Sequence, residues 1–201
     1  MTITTKDNKQ VILRKLEQPD YENLCKYFDN LSLDTKRRFG PHAFDLQSVS
    51  DYYDTDKNIG YIAVDILSQS IVAYFIIKKG YLDHDRNRYQ SYGINLDEST
   101  DCTFAPSVAD AWQSCGLGNI LFHFVLNDIK EYHIKRVILW AGVQADNEKA
   151  IRFYLKNNFQ LLGEFDYNGK NLDMLLQPNK LQKLHDRWLK LIKERAEQTQ
   201  Q

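Results

Sequence analysis

"WQSCGLGN", residues 112–119, runs straight into the apolar stretch "ILFHFVLNDI" at 120–129, so a loop tips into a helix with two glycines at the joint. Glycine lacks a Cβ and lets the backbone curl with its N–H groups turned into a concavity, while the first turn of a helix carries unpaired donors and the positive end of a dipole. Such a loop is suited to hold phosphate oxygens. It is also suited to make a tight turn and nothing more. The residues exclude two familiar phosphate loops: a dinucleotide fingerprint needs a third glycine where Leu121 stands, and a P-loop needs Gly-Lys-Ser/Thr, which is absent here.

On both sides of this loop the hydrophobic pattern predicts alternating strands and helices. "QVILRKL" (10–16) is β-like, and "PDYENLCKYFDNLS" (19–32) spaces Tyr21, Leu24, Cys25, Phe28 and Leu31 as a helix. Shorter helices are expected within 33–39 and 46–53, separated by "GP" at 40–41. "NIGYIAVDI" (58–66) and "IVAYFIIKK" (71–79) read as a strand hairpin, and the polar, aperiodic stretch 83–99 as a functional or mobile loop. Then come a strand at 102–108, a helix at 118–132, a strand at 135–143 and a helix at 147–158, a βαβα succession that makes the two strands parallel neighbours. A last hairpin spans 159–177, turning at "NG" 168–169. Pro106 falls inside the first parallel strand, where it cannot donate to a ladder. It argues for a bulge, an opened edge or the strand's end.

Composition narrows the class. The chain has 201 residues, 43% hydrophobic and 26% charged, enough for one sizeable core. A formal net charge of −1 gives no general attraction to nucleic acid or to an anionic membrane. Three cysteines, at 25, 102 and 115, form no C-x-x-C pair and fit reduced thiols. The polar start "MTITTKDNKQ" lacks a signal-like apolar run and no stretch approaches membrane-spanning length, so a cytoplasmic protein is expected.

Two motifs in order carry a family resemblance. "QSCGLG" (113–118) resembles the Q/R-x-x-G-x-G/A acyl-CoA loop of the GNAT N-acetyltransferase superfamily, and "NEKAIRFYLKNNF" (147–159) resembles that family's Asn-x-x-Ala-x-x-Phe-Tyr motif with its following Gly-Phe. The resemblance covers roughly residues 10–177. It implies an α/β (α+β) domain over 1–177 with a mixed, splayed sheet flanked by helices, and acetyl-CoA wedged between strands 102–108 and 135–143. It further implies that main-chain groups near Val108 pair with pantetheine. The loop Gln113, Ser114, Cys115, Gly116, Leu117, Gly118 and Asn119 would take the pyrophosphate, and Asn147 would join the cofactor site. Asp110 departs from a frequent proline, and Asn158 from the usual glycine; asparagine tolerates the left-handed conformation at a helix end.

Acetyl transfer needs a neutral amine, dipoles for the oxyanion and a proton for the departing thiolate. A phenol with an ordinary pKa of roughly 10 keeps its proton at neutral pH. Tyr154 occupies the place of the family's tyrosine acid; a core aromatic is its plainer role. Asp101, ahead of Glu98, is the candidate base because it lies on the strand, and a solvated carboxylate is its plainer role. Cys115 suits loop filling better than nucleophilic attack, and His42, His84, His123, His133 and His185 lack metal-ligand spacing, so no metal is expected. The basic cluster 35–42 and the loop 83–92 are candidates to flank the acceptor.

Leu181, Leu184, Trp188 and Leu191 give residues 178–201 a helical apolar stripe, expected to pack on the same chain, with a homodimer as the alternative. The expected activity is acetyl-CoA-dependent acetylation of a primary amine of a small molecule or peptide by direct attack in a ternary complex. A non-catalytic acyl-CoA-binding sensor or interaction module is the alternative.

Overall fold

The computed structural model describes residues 1–177, and the expected helix at 178–201 lies outside the described residues. In chain order the elements are β1 (Thr2–Thr4), β2 (Gln10–Lys15), α1 (Tyr21–Asp29), α2 (Leu33–Arg37), α3 (Leu46–Tyr53), β3 (Asn58–Asp65) and β4 (Ile71–Lys79). They continue with α4 (Asp85–Ser91), β5 (Asp101–Val108), α5 (Leu117–Asp128), β6 (Arg136–Leu139), β7 (Val143–Gln144), α6 (Glu148–Lys156), β8 (Gln160–Asp166) and β9 (Lys170–Leu176). The strands form one sheet in the order β1-β2-β3-β4-β5-β6-β9-β7, with β8 on the other edge of β9. Only β5 and β6 are parallel neighbours; the other pairings are antiparallel.

Strand alternation sorts the core onto two faces. Ala73, Phe75 and Ile77 of β4 join Phe104, Leu121, Phe122 and Val125 beneath α5, with Tyr154 and Phe159 beside them. The intervening Tyr74 and Ile76 meet Leu24 and Phe28 of α1, Val49 of α3 and Ala105 of β5 on the opposite face. A small third cluster, Tyr89 of α4 with Ile138 and Leu175, extends that second face over β6 and β9. The α/β layering and the parallel β5/β6 pair agree with the sequence pattern. So does the final hairpin, where Asn168 and Gly169 supply the positive φ, 49° and 110°, that its turn needs.

Three local expectations are corrected. β1 adds a strand at the polar start of the chain. The stretch 83–99 contains α4, held firmly rather than looping freely: Arg88 donates to Asp85 and to Asp173, Tyr92 donates to Asp173, and Arg88 lies 3.8 Å from the Phe165 ring centroid. Polar residues that read as surface there form a buried ion cluster. Finally, the single strand expected at 135–143 is broken into β6 and β7 at Trp140–Gly142.

Candidate functional site

β5 and β6 pair only from Asp101↔Arg136 to Phe104↔Leu139. The Trp140 N–H, 3.0 Å from the Phe104 carbonyl, makes the last rung. Beyond it β5 continues to Val108, still paired with β4. The Gly80 N–H donates to Asp101 and the Ala109 N–H to Val72, so odd-numbered residues of β5 bond to β4 and even-numbered ones face the side of β6. Pro106 is even-numbered. Its missing N–H therefore falls on the open edge, which offers the Pro106 carbonyl and the Val108 N–H, while the Val108 carbonyl accepts from Gln113 Nε2 at 3.0 Å. The opposite wall turns away because Ala141 and Gly142 adopt positive φ, 50° and 73°. Gly142 is required there: a Cβ would lie 2.7 Å from Phe165 Cε1 and 2.8 Å from the Leu172 carbonyl oxygen. Past the bend, Val143 and Gln144 pair with β9, leaving a wedge between β5 and β7.

The glycine loop stands at the mouth of this wedge. Gly116 caps α5 in the left-handed region, with φ 89° and no side-chain cap, and Ser114 is left-handed too, at φ 65°. The helical ladder starts with Ile120 N–H on the Gly116 carbonyl, 3.2 Å, so the N–H groups of Leu117, Gly118 and Asn119 lie before it. Side chains of the loop hold its shape. Leu117 is buried in the core, Cys115 Sγ–H donates to the Trp112 carbonyl, and Gln113 Oε1 accepts from Lys149 Nζ at 2.7 Å. Asn119 Oδ1 accepts from Asn157, and Asn147 caps α6 by accepting from the Ala150 N–H at 3.2 Å. A Cβ at Gly118 would make ordinary 3.7 Å contacts with Phe153 and Val108, so the conformational demand falls on Gly116 instead. Lys6, which no motif pointed to, donates its N–H to the Cys115 carbonyl, and its stem lies 3.5 Å from where a Gly116 Cβ would stand.

Tyr154 and Asp101 fare differently. Tyr154 is 5% exposed, edge-on to Phe104 with ring centroids 6.5 Å apart, and so stands behind the apex of the wedge. Its hydroxyl bonds no other described residue, and burial pushes the phenol well above its ordinary pKa. Asp101 is fully buried at the far end of β5, clamped by Arg136 Nε at 2.6 Å and Nη2 at 2.7 Å and accepting the Asp97 N–H at 2.7 Å. Seven residues of extended chain, ~23 Å, separate it from Val108. This carboxylate ties the far end of β5 to β6 through Arg136. Glu98 lies beside Gly80, away from the wedge as well.

Across the mouth on the α1–α3 face runs α2. Asp110 accepts from the Ser32 N–H and hydroxyl, both at 2.9 Å, and from Thr35 Oγ1 at 2.7 Å, tying the start of α2 to the end of β5. From the other end of α2, Arg38 donates to Gln144 Oε1 at 3.0 Å and to Asp146 at 2.9 Å, tying it to β7 and the chain just after it. The helix thus straps the two diverging walls together. Of the basic cluster that is a candidate to flank the acceptor, Arg37 and Arg38 pair with Asp34 and Asp146, and Lys36 Nζ donates to the Asp29 carbonyl. Bonds over 75–108 residues of separation explain why sequence spacing missed this strap.

No group of three or more His, Cys, Asp or Glu among the described residues is placed to hold a metal ion, and no described helix is long and apolar enough to cross a membrane. The sheet is mixed and split between two parallel strands, with a glycine-led helix lacking a side-chain cap at the split. The model of the acetyltransferase (GNAT) family matches residues 13–159, and the chain belongs to that family. Among solved structures it resembles the GNAT domain of S. lividans PAT at TM-score 0.68 and 18% identity, covering 88% of this chain and 96% of that one. It also resembles the ribosomal-protein-S5-alanine acetyltransferase of Vibrio fischeri at TM-score 0.64 and 12% identity, over 89% and 97% of the two chains. A GNAT-family acetyltransferase of Streptococcus pneumoniae gives 0.60 and 17%, over 83% and 98%. No curated protein sequence matches the chain.

Proposed function

We propose that this protein transfers an acetyl group from acetyl-CoA to a primary amine of a small molecule or peptide, by direct attack in a ternary complex. The observation that carries the proposal is the wedge itself: an unpaired strand edge leads from an uncapped helix N-terminus to a buried phenol. An extended amide chain such as pantetheine fits the Pro106 carbonyl and the Val108 N–H, and the N–H groups from Ser114 through Asn119 suit a pyrophosphate. Gln113, Cys115 and Asn147 support that surface through their own bonds.

In this proposal the amine nitrogen attacks the thioester carbon, the C–S bond breaks as Tyr154 gives its proton to the leaving thiolate, and the proton shed by the nitrogen passes to solvent, from which the phenolate is reprotonated. A buried phenol with a raised pKa keeps that proton throughout the neutral range. Asp101 is assigned no catalytic part, because its ion pair and distance from the wedge suit an anchor. The test is calorimetric titration with acetyl-CoA followed by thiol release with a panel of alkylamines, polyamines and peptides with free amino termini. Binding with amine-dependent thiol release supports the proposal, binding without turnover supports a sensor, and absence of binding overturns both.

A further inference from the structure

Tyr52 of α3 ends in a hydroxyl that is buried and has no hydrogen-bond partner. Buried polar atoms are almost always paired, and leaving one unpaired costs about 1–3 kcal/mol, so such a group calls for a function. Its neighbours meet their own needs. Tyr53 and Tyr74 bond each other through their hydroxyls, His42 Nε2 bonds the Tyr74 hydroxyl at 2.9 Å while Nδ1 lies 2.6 Å from the Ala43 carbonyl, and Tyr27 bonds Ser107 at 2.7 Å. In this aromatic wall only the Tyr52 hydroxyl is left over among the described residues.

Its position is informative. The Tyr52 ring lies 4.8 Å from His42 and 6.2 Å from Trp140, centroid to centroid. Trp140 is the residue whose N–H closes the last β5/β6 rung, so Tyr52 stands at the apex of the wedge on the α1–α3 face. Tyr154 flanks the same apex from the opposite face, through Phe104. The split in the sheet is therefore bracketed by the phenols of Tyr52 and Tyr154, neither hydroxyl bonded to the rest of the described chain.

We infer that the Tyr52 hydroxyl positions the acceptor amine, taking a hydrogen bond from its N–H and turning the nitrogen lone pair toward the apex. This rests on the acetyltransferase function proposed above. Burial raises the Tyr52 phenol well above its ordinary pKa, so it remains a neutral hydroxyl and orients the amine without accepting its proton. The partly exposed Trp140 beside it favours an incoming ammonium, which releases one proton to solvent before the neutral nitrogen presents its lone pair, and no described carboxylate bonds either side chain, so the matching acceptor is a primary alkylamine recognised by aromatic rings and one oxygen.

The test compares the parent with Tyr52→Phe, using the amine on which the parent turns over fastest. Because the lost oxygen bonds nothing in the fold, the variant should melt at the parent temperature or above it and bind acetyl-CoA with a Kd within about twofold. Its kcat/KM for the amine should fall about 3- to 10-fold, the equivalent of one hydrogen bond. Tyr53→Phe, which removes a bonded hydroxyl, should instead lower Tm. An unchanged kcat/KM in folded Tyr52→Phe overturns the assignment, as does a Tm loss matching that of Tyr53→Phe. Failure of the parent to acetylate any amine refutes the underlying function and is seen before any variant is made.

Discussion

Replacing Tyr154 by phenylalanine separates chemistry from packing. The ring touches Phe104, Phe153 and Phe159, and phenylalanine preserves each of those contacts. The hydroxyl bonds no other described residue, so its removal costs the fold no internal hydrogen bond, and stability should change by less than about 1 kcal/mol. Proton donation by a positioned side chain contributes ~10²–10⁴-fold, or about 3–5 kcal/mol of barrier. The variant should thus bind acetyl-CoA as the parent does and lose at least a hundredfold in single-turnover acetylation, read by thiol release under acceptor saturation. The raised phenol pKa also means that the parent should show no alkaline loss of kcat from this group up to about pH 10. Full single-turnover activity in the folded variant would refute the role, and a marked drop in Tm would show that the hydroxyl serves the fold.

Gly116→Ala places a Cβ at φ 89°, costing about 1–2 kcal/mol, and should lower Tm while weakening acetyl-CoA binding by calorimetry; intact affinity would remove the loop from the cofactor site. Asp101→Asn leaves Arg136 facing a neutral amide in a largely buried pair and should cost about 3 kcal/mol in denaturant unfolding; an equally stable but inactive variant would return Asp101 to catalysis. Desolvation raises the Asp110 pKa, but bonds from Ser32 and Thr35 outweigh it and the net shift is downward. A lowered folded pKa stabilises above the ordinary carboxylate range and loses that contribution as pH falls through the folded value. The Tm advantage of the parent over Asp110→Asn should therefore shrink on acidification from about pH 6 to about pH 3, and a constant advantage would contradict the strap bonds.

What could be read in the sequence was what repeats locally. β-Branched and aromatic runs such as 71–79 and the turn pair Asn168-Gly169 gave strands and hairpins, and the order of strand and helix gave the parallel pair. The two motifs located the glycine loop and Tyr154. What escaped depends on partners distant in the chain. Asp101 reads in the sequence as an available carboxylate, and its pairing with Arg136, 35 residues away, exists only in the fold. Polarity placed 83–99 on the surface because Asp85, Arg88 and Asp173 neutralise one another only once folded. The break at Trp140–Gly142 carried one weak signal, the glycine inside a strand-like run, and the Tyr52 hydroxyl carried none.

Pro106 has a consequence for how the sheet comes together. β5 and β6 begin in register at Asp101 and Arg136 and would zip toward the glycine loop as one parallel ladder. The next donor that β5 could offer after the Phe104 rung belongs to residue 106, and proline has none to give. The bend at Ala141 and Gly142 takes the other chain out of reach at the same level. A nascent sheet therefore cannot add the rung at residue 106 and does not seal into a continuous, stable but useless ladder. The gap is protected during folding by chemistry that acts before any substrate is met.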